Sequence, residues 1–240
     1  MRVIPAIDLI DGHVVRLTQG DFSQEARYAL SPIEAARQWK KHGFHMVHLV
    51  SLDGAKDGVA LYEDVLRSVV SEGLAVQFGG GIRTLEQIGS YLDLGVERVM
   101  VGTVAIQPGS FWRDAEARFG ADRLVLALDL KDGFVATHGW TQTTGLSFDA
   151  AIERIGADHV RHVLVTDVLK DGSLSGVDVG LYERLLATYP GLNVIPAGGV
   201  TSPGDLLELE RICVRDVVVG KALYERPEII DTIRNRNYLA

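Results

Sequence analysis

The chain has 240 residues, 47% hydrophobic and 23% charged, which is enough apolar sequence to bury a sizeable core and excludes a disordered tail. Its net charge of −8 and pI near 5.4 argue against nucleic acid or an anionic membrane as partner, so any anion it binds must be gripped locally. One cysteine, Cys213, excludes an internal disulfide, fits a reducing compartment and reads as a core residue. The opening MRVIPAIDLIDG is too short in its apolar run, and too acidic after it, for a secretory signal. No run of about 18 apolar residues occurs, so a cytoplasmic, soluble protein is expected.

Strand-length apolar runs and helix starts alternate along the chain. Val3 to Ile7 is followed by Ser31-Pro32, a cap with proline at the first helical position, and Met46 to Leu52 and Leu74 to Phe78 are followed by the Thr84 cap. Arg98 to Val101 and Arg123 to Leu128 lead to the Ser147 cap; His162 to Thr166 and Leu192 to Ile195 lead to Ser202-Pro203; Asp216 to Val219 is the eighth run. Near-continuous apolar strands between helices mean a parallel sheet covered on both faces. Eight units in 240 residues average 30 each, the size of a βα repeat in an α/β (β/α)8 TIM barrel, with a doubly wound open sheet as the competitor.

Internal repetition decides for the barrel. Arg2 to Val15 lies over Arg123 to Ala136 without a gap and with seven identities in fourteen positions, Asp8 falling on Asp129. VQFGGGI with VMVGTVA (Val76 to Ala105) lies over VIPAGGV with VVVGKAL (Val194 to Leu223), and HLVSLDGAKDG (from His48) over HVLVTDVLKDG (from His162). One domain of two half-barrels, approximately 1–120 and 121–240, is therefore expected, with each feature facing its counterpart across the ring.

Asp8 and Asp129 end their strands at the C-terminal mouth, where barrel active sites lie. Opposed carboxylates there suit a general base and a general acid, one ionised and one protonated. Asp11-Gly12 and Asp132-Gly133 read instead as tight turns of small hairpins. The glycine clusters Gly79-Gly80-Gly81 with Gly102-Thr103, and Gly198-Gly199 with Gly220-Lys221, read as two phosphate cradles built from backbone N–H groups. Two cradles on opposite flanks imply a small-molecule substrate with a phosphate at each end. No Walker A or strand-borne GxGxxG is present, so no nucleotide cofactor is indicated, and no Cys/His cluster has metal spacing.

Further candidates carry two readings each. Trp140 either stacks on a heteroaromatic ring or packs; His48 is either a core histidine or a contact at the mouth; Arg83 either pairs with phosphate or caps a surface. Thr166 and Asp171-Gly172, at the end of the sixth strand and in its loop, either order around substrate or form only a turn.

The segments IPAIDLIDGHVVRLTQGDF, HLVSLDGAKDG, GGGIR, VGTVA, LALD, GW, TDVLKDGSLSG, AGGV and VVVGKALY, in that order, resemble the phosphoribosylformimino-aminoimidazole carboxamide ribotide isomerases of histidine biosynthesis over almost the whole chain. The resemblance implies a monomeric barrel, without cofactor or metal, that carries out an Amadori rearrangement of an aminoaldose bearing two phosphates. It further implies Asp8 as general base, Asp129 as general acid, Thr166 and Asp171 in support, and Gly20 among the substrate contacts. Ser51 stands where that family usually has Asp, and Ala197 where it usually has Ser. The sister imidazole glycerol phosphate cyclase shares both aspartates and both cradles, but has Cys where Ala6 stands and Lys where Arg16 stands. A dual isomerase that also accepts phosphoribosylanthranilate shares the pattern. A non-catalytic phosphosugar-binding barrel would keep the cradles without needing the carboxylates.

Overall fold

The computed structural model describes residues 1–18, 21–58 and 62–239. Eight parallel strands form a closed ring: β1 (Arg2–Ile10), β2 (Met46–Ser51), β3 (Ala75–Gly79), β4 (Arg98–Val101), β5 (Leu124–Lys131), β6 (His162–Asp167), β7 (Asn193–Ala197) and β8 (Asp216–Val219). Each pairs with the next, and β8 returns to β1 through Arg2↔Asp216 to Pro5↔Val219. The outer layer is α1 (Pro32–Lys41), α2 (Glu63–Ser71), α3 (Leu85–Asp93), α4 (Phe111–Phe119), α5 (Phe148–Ile155), α6 (Val179–Thr188), α7 (Pro203–Arg211) and α8 (Pro227–Asn235). The four cap residues expected from sequence, Ser31, Thr84, Ser147 and Ser202, each accept a backbone N–H from the first turn of their helix. No helix among the described residues is long and apolar enough to cross a membrane.

Strand periodicity of two sorts the side chains. One parity (Ile7, Leu49, Val76, Phe78, Leu126, Val163, Val194 and Val217) packs outward under the helices. The other (Ile4, Ala6, Met46, Met100, Val125, Leu164, Ile195 and Val218) fills the barrel interior. Each buried aliphatic side chain of this kind contributes about 1.5–3 kcal/mol. The inward parity continues upward to Asp8, Asp129 and Thr166, and downward to Arg98, His162, Asn193 and Asp216. At that lower, N-terminal end Asp216 accepts from Arg2, Arg98 and Asn193 at 2.9–3.3 Å, so its buried charge is fully paired.

Two antiparallel hairpins extend β1 and β5 beyond the rim. The strand His13–Thr18 folds back on β1 with Asp8↔Val15, and Phe134–Thr137 folds back on β5 with Asp129↔Ala136, the same offset in each half. At the turns Asp11, Gly12, Asp132 and Gly133 all have φ between +49° and +82°, the left-handed pairs that a two-residue hairpin loop requires.

The ring corrects two sequence expectations. His48 pairs with Ala6 and Leu164 with Ala127, so His48 is the counterpart of Leu164 and lies a level above His162. Overlaying the two histidines put β2 and β6 two residues out of register, because the shared KDG segments follow loops of different length. Cys213, expected in the core, is exposed at φ +65° in the turn after α7.

Candidate active site

Asp8 and Asp129 point into the barrel at its C-terminal mouth from strands half a ring apart. Both are almost enclosed, and burial is the main force raising the pKa of each, with the nearby Asp171 charge adding to the rise in both. Their other partners differ in kind. Arg16, on the hairpin strand His13–Thr18, donates to Asp8 Oδ2 from Nη1 at 2.7 Å and to Asp171 Oδ1 from Nη2 at 2.6 Å. All three side chains are 12–13% exposed, so this is a largely desolvated triad. Among the described residues Asp129 has no cation beside it; its hydrogen-bond partners are the neutral side chains of Thr166 and Trp140. Thr166 is fixed by the ladder directly opposite Asp129. Trp140 ends a run, His138-Gly139-Trp140, in which φ is +55°, +61° and +69°, a left-handed turn that aims the indole at the carboxylate.

Arg16 was not singled out as a site residue from sequence. The signal was present one residue beyond the overlaid repeat, where Arg16 falls on Thr137. The two halves thus keep their carboxylates and differ in the cation beside them. A methyl group on Gly220 would stand 2.8 Å from Arg16 Nη1, so glycine there leaves room for the guanidinium. The cleft around Arg16, Asp171, Gly172, Gly198, Gly199, Gly220 and Lys221 is narrow, with about 20 Å³ of free space. Lys221 reaches over it to the Gly172 carbonyl at 3.3 Å.

The paired glycines have a backbone reason to be glycine. Gly80 and Gly81 have φ of +109° and +78°, and a Cβ on either would collide with the Ser51 or Gly54 backbone of the loop after β2. Gly198 and Gly199, at +82° and +85°, would meet the Asp167 and Gly176 carbonyls at 2.9 and 2.8 Å. Gly102 and Gly220 instead have negative φ and immediately precede the short helical turns Thr103–Ile106 and Lys221–Glu225.

The remaining candidates are spread out. His48 is 5% exposed one level below Asp8, bonded through Nδ1 to Gln77 at 3.0 Å; burial, with Arg16 nearby, brings its pKa down to about 3, so it is neutral. Arg83 is exposed and lies against Gly58. Gly20 is outside the described residues. Ser51 is fully buried and caps the short helix Leu52–Asp57 by accepting from Gly54 N at 2.9 Å, while Ala197 packs in the barrel interior. A cavity of about 440 Å³ lies at the opposite end between Arg161, His162, Asn193, Arg215 and Asp216. Its walls mostly neutralise one another, and barrel chemistry belongs to the other face.

A closed (β/α)8 ring with two opposed buried carboxylates at its C-terminal mouth, one ion-paired and one not, defines a barrel enzyme of the acid–base kind. The chain belongs to the histidine biosynthesis protein family, whose model matches residues 2–227. It is 42% identical over 228 residues to a protein of Streptococcus sanguinis, covering 93% of each chain. It is 42% identical to one of Thermomicrobium roseum (94% and 93% covered) and 39% identical over 236 residues to one of Streptococcus thermophilus (98% and 99% covered). All three relatives carry the name 1-(5-phosphoribosyl)-5-((5-phosphoribosylamino)methylideneamino)imidazole-4-carboxamide isomerase.

Proposed function

We propose that this chain isomerises that phosphoribosylamino aldose to its phosphoribulosyl ketose, with Asp129 as general acid and Asp8 as general base. The observation that supports the division of labour is Arg16, which holds a cation against Asp8 and leaves Asp129 with neutral donors only. A carboxyl raised by burial with no cation beside it favours its protonated form, and a carboxylate paired with arginine its ionised form.

Protonation of the ribose ring oxygen by Asp129 breaks the bond from that oxygen to C1, and the exocyclic nitrogen becomes a Schiff-base cation. That cation acidifies the C2–H, Asp8 removes the proton, and the electron pair returns to nitrogen as an enolamine. Proton delivery at C1 and loss of the C2 hydroxyl proton then give the aminoketose. Each assisted proton transfer is worth about 10²–10⁴-fold. The glycine loops after β3 and β4 and after β7 and β8 hold the two phosphates. The resemblance to the isomerases implies that the enzyme acts as a monomer.

The test is to supply the aminoaldose alone and, separately, the aminoketose with ammonia. Ketose formation from the first and no reaction of the second are expected. Turnover of the second alone would make the chain a cyclase.

A further inference from the structure

Arg16 can bridge Asp8 and Asp171 only if its strand leaves β1 at a fixed angle, and that angle is set by the Asp11-Gly12 turn. The turn is pinned from outside the hairpin. Asp11 N donates to Asp53 Oδ2 at 3.2 Å, Gly12 N donates to Tyr62 Oη at 3.1 Å, and the Tyr62 hydroxyl itself donates to Asp53 Oδ2 at 2.6 Å. Asp53 is held in turn through Oδ1, which accepts from Ser51 Oγ at 2.7 Å and Gly54 N at 3.0 Å. Tyr62 is 7% exposed and Ser51 fully buried, so the inner side of this network is shielded from competing water, while the Asp11 N bond lies at the surface. Burial alone would raise Asp53, but the donors from Tyr62, Ser51, Asp11 and Gly54 outweigh it and bring its pKa down, keeping it an acceptor.

The equivalent turn in the other half, Asp132-Gly133, has no such anchor among the described residues, and its hairpin carries Thr137 where Arg16 stands. Of two matching turns, the pinned one precedes the arginine.

We propose that Tyr62 and Asp53 are positioning residues for the isomerisation, clamping the Asp11-Gly12 turn so that Arg16 spans Asp8 and Asp171. The clamp rests on the reading of Asp8 as the base. It acts through Arg16 and touches no substrate.

The test is a double-mutant cycle on kcat at saturating substrate. Tyr62→Phe removes one hydroxyl and its two bonds, and is expected to lower kcat about tenfold in the otherwise unchanged protein. In an Arg16→Met background the same change is expected to alter kcat by less than about twofold, because the group it positions is gone. A tenfold loss in both backgrounds overturns the clamp, as does no loss in either. Asp53→Asn gives the same cycle if Tyr62→Phe does not fold, and the same non-additivity is expected. Asp8→Asn is assayed alongside. If it is inactive while the cycle is additive, the clamp alone fails; if it turns over at the unaltered rate, the base assignment fails and takes the clamp with it.

Discussion

Asp8 and Asp129 occupy equivalent positions in the two halves of the barrel, each seven residues before its own ladder partner on the returning hairpin strand, yet among the described residues only Asp8 has a guanidinium within hydrogen-bond reach. Their environments therefore separate two chemically identical groups. Asp8→Asn and Asp129→Asn are each expected to cut kcat by about 10²–10⁴-fold. Their effects on stability should part ways. Asp8→Asn removes one of the two carboxylates that pair Arg16, leaving it Asp171 alone, and lowers Tm, whereas Asp129→Asn removes a buried carboxyl that lacked a cation and leaves Tm level or higher. Thermal melts of the two variants at neutral pH check this, and equal losses would contradict it.

If Asp8 is the base proposed above, Arg16 is expected to set the pH dependence. Among the described residues Arg16, Asp171 and the phenols of Tyr28 and Tyr224 interact electrostatically with Asp8, and of these Arg16 alone brings a positive charge. In Arg16→Met, burial and Asp171 both push Asp8 upward unopposed. The base then protonates at higher pH, and the acidic limb of the kcat/KM profile moves up. A limb that stays in place would show that Asp8 is not the group titrating there.

Glycines at the mouth separate packing from ligand binding. Gly80→Ala puts a Cβ into the Ser51 backbone at φ +109° and is expected to destabilise by more than about 3 kcal/mol. In Gly102→Ala, at negative φ, the new Cβ meets the Ala127 carbonyl at 3.3 Å and the Ala127 Cβ at 3.8 Å, so Tm should fall less than in Gly80→Ala while KM rises about tenfold. An unchanged KM would remove the loop after β4 from phosphate binding.

His48 predicts an acid sensitivity independent of catalysis. Its ordinary value of 6.5 is brought to about 3 in the fold, chiefly by burial. Between those values the unfolded chain binds the proton and the native chain does not, so stability falls as pH falls through that window, by about 1.4 kcal/mol per pH unit. Urea titrations of His48→Gln should lose this component of the slope. Parallel curves for variant and parent would mean that His48 is protonated in the fold.

Much of the fold could be read locally. The capped helices and the DG turns are decided by neighbours in sequence, and the alternating apolar runs by a period of two. Asp8 and Asp129 were visible because the internal repeat sets each beside the same local pattern. Arg16 was not, since its importance depends on Asp171, 155 residues away in the chain. Asp53 and Tyr62 escaped for the same reason, as their partners are backbone groups of another loop. The histidine overlay misled because a shared residue type weighs more in a short alignment than ladder register, which only the closed ring reveals. Cys213 reads as apolar by residue type, but its left-handed turn conformation places it outside the packed layer.

Closure of the ring through Arg2↔Asp216 has a consequence for how the molecule is made. During synthesis β1 acquires its neighbour β2 early, but its other flank stays unsatisfied until residues 216–219 have emerged. Until then the strand carrying Asp8 offers an open edge to the ribosome's surroundings, and only the last quarter-turn of assembly seals it. Such long-range pairing is slow to form, so catalytic competence should appear late in refolding, after most helical signal has already returned.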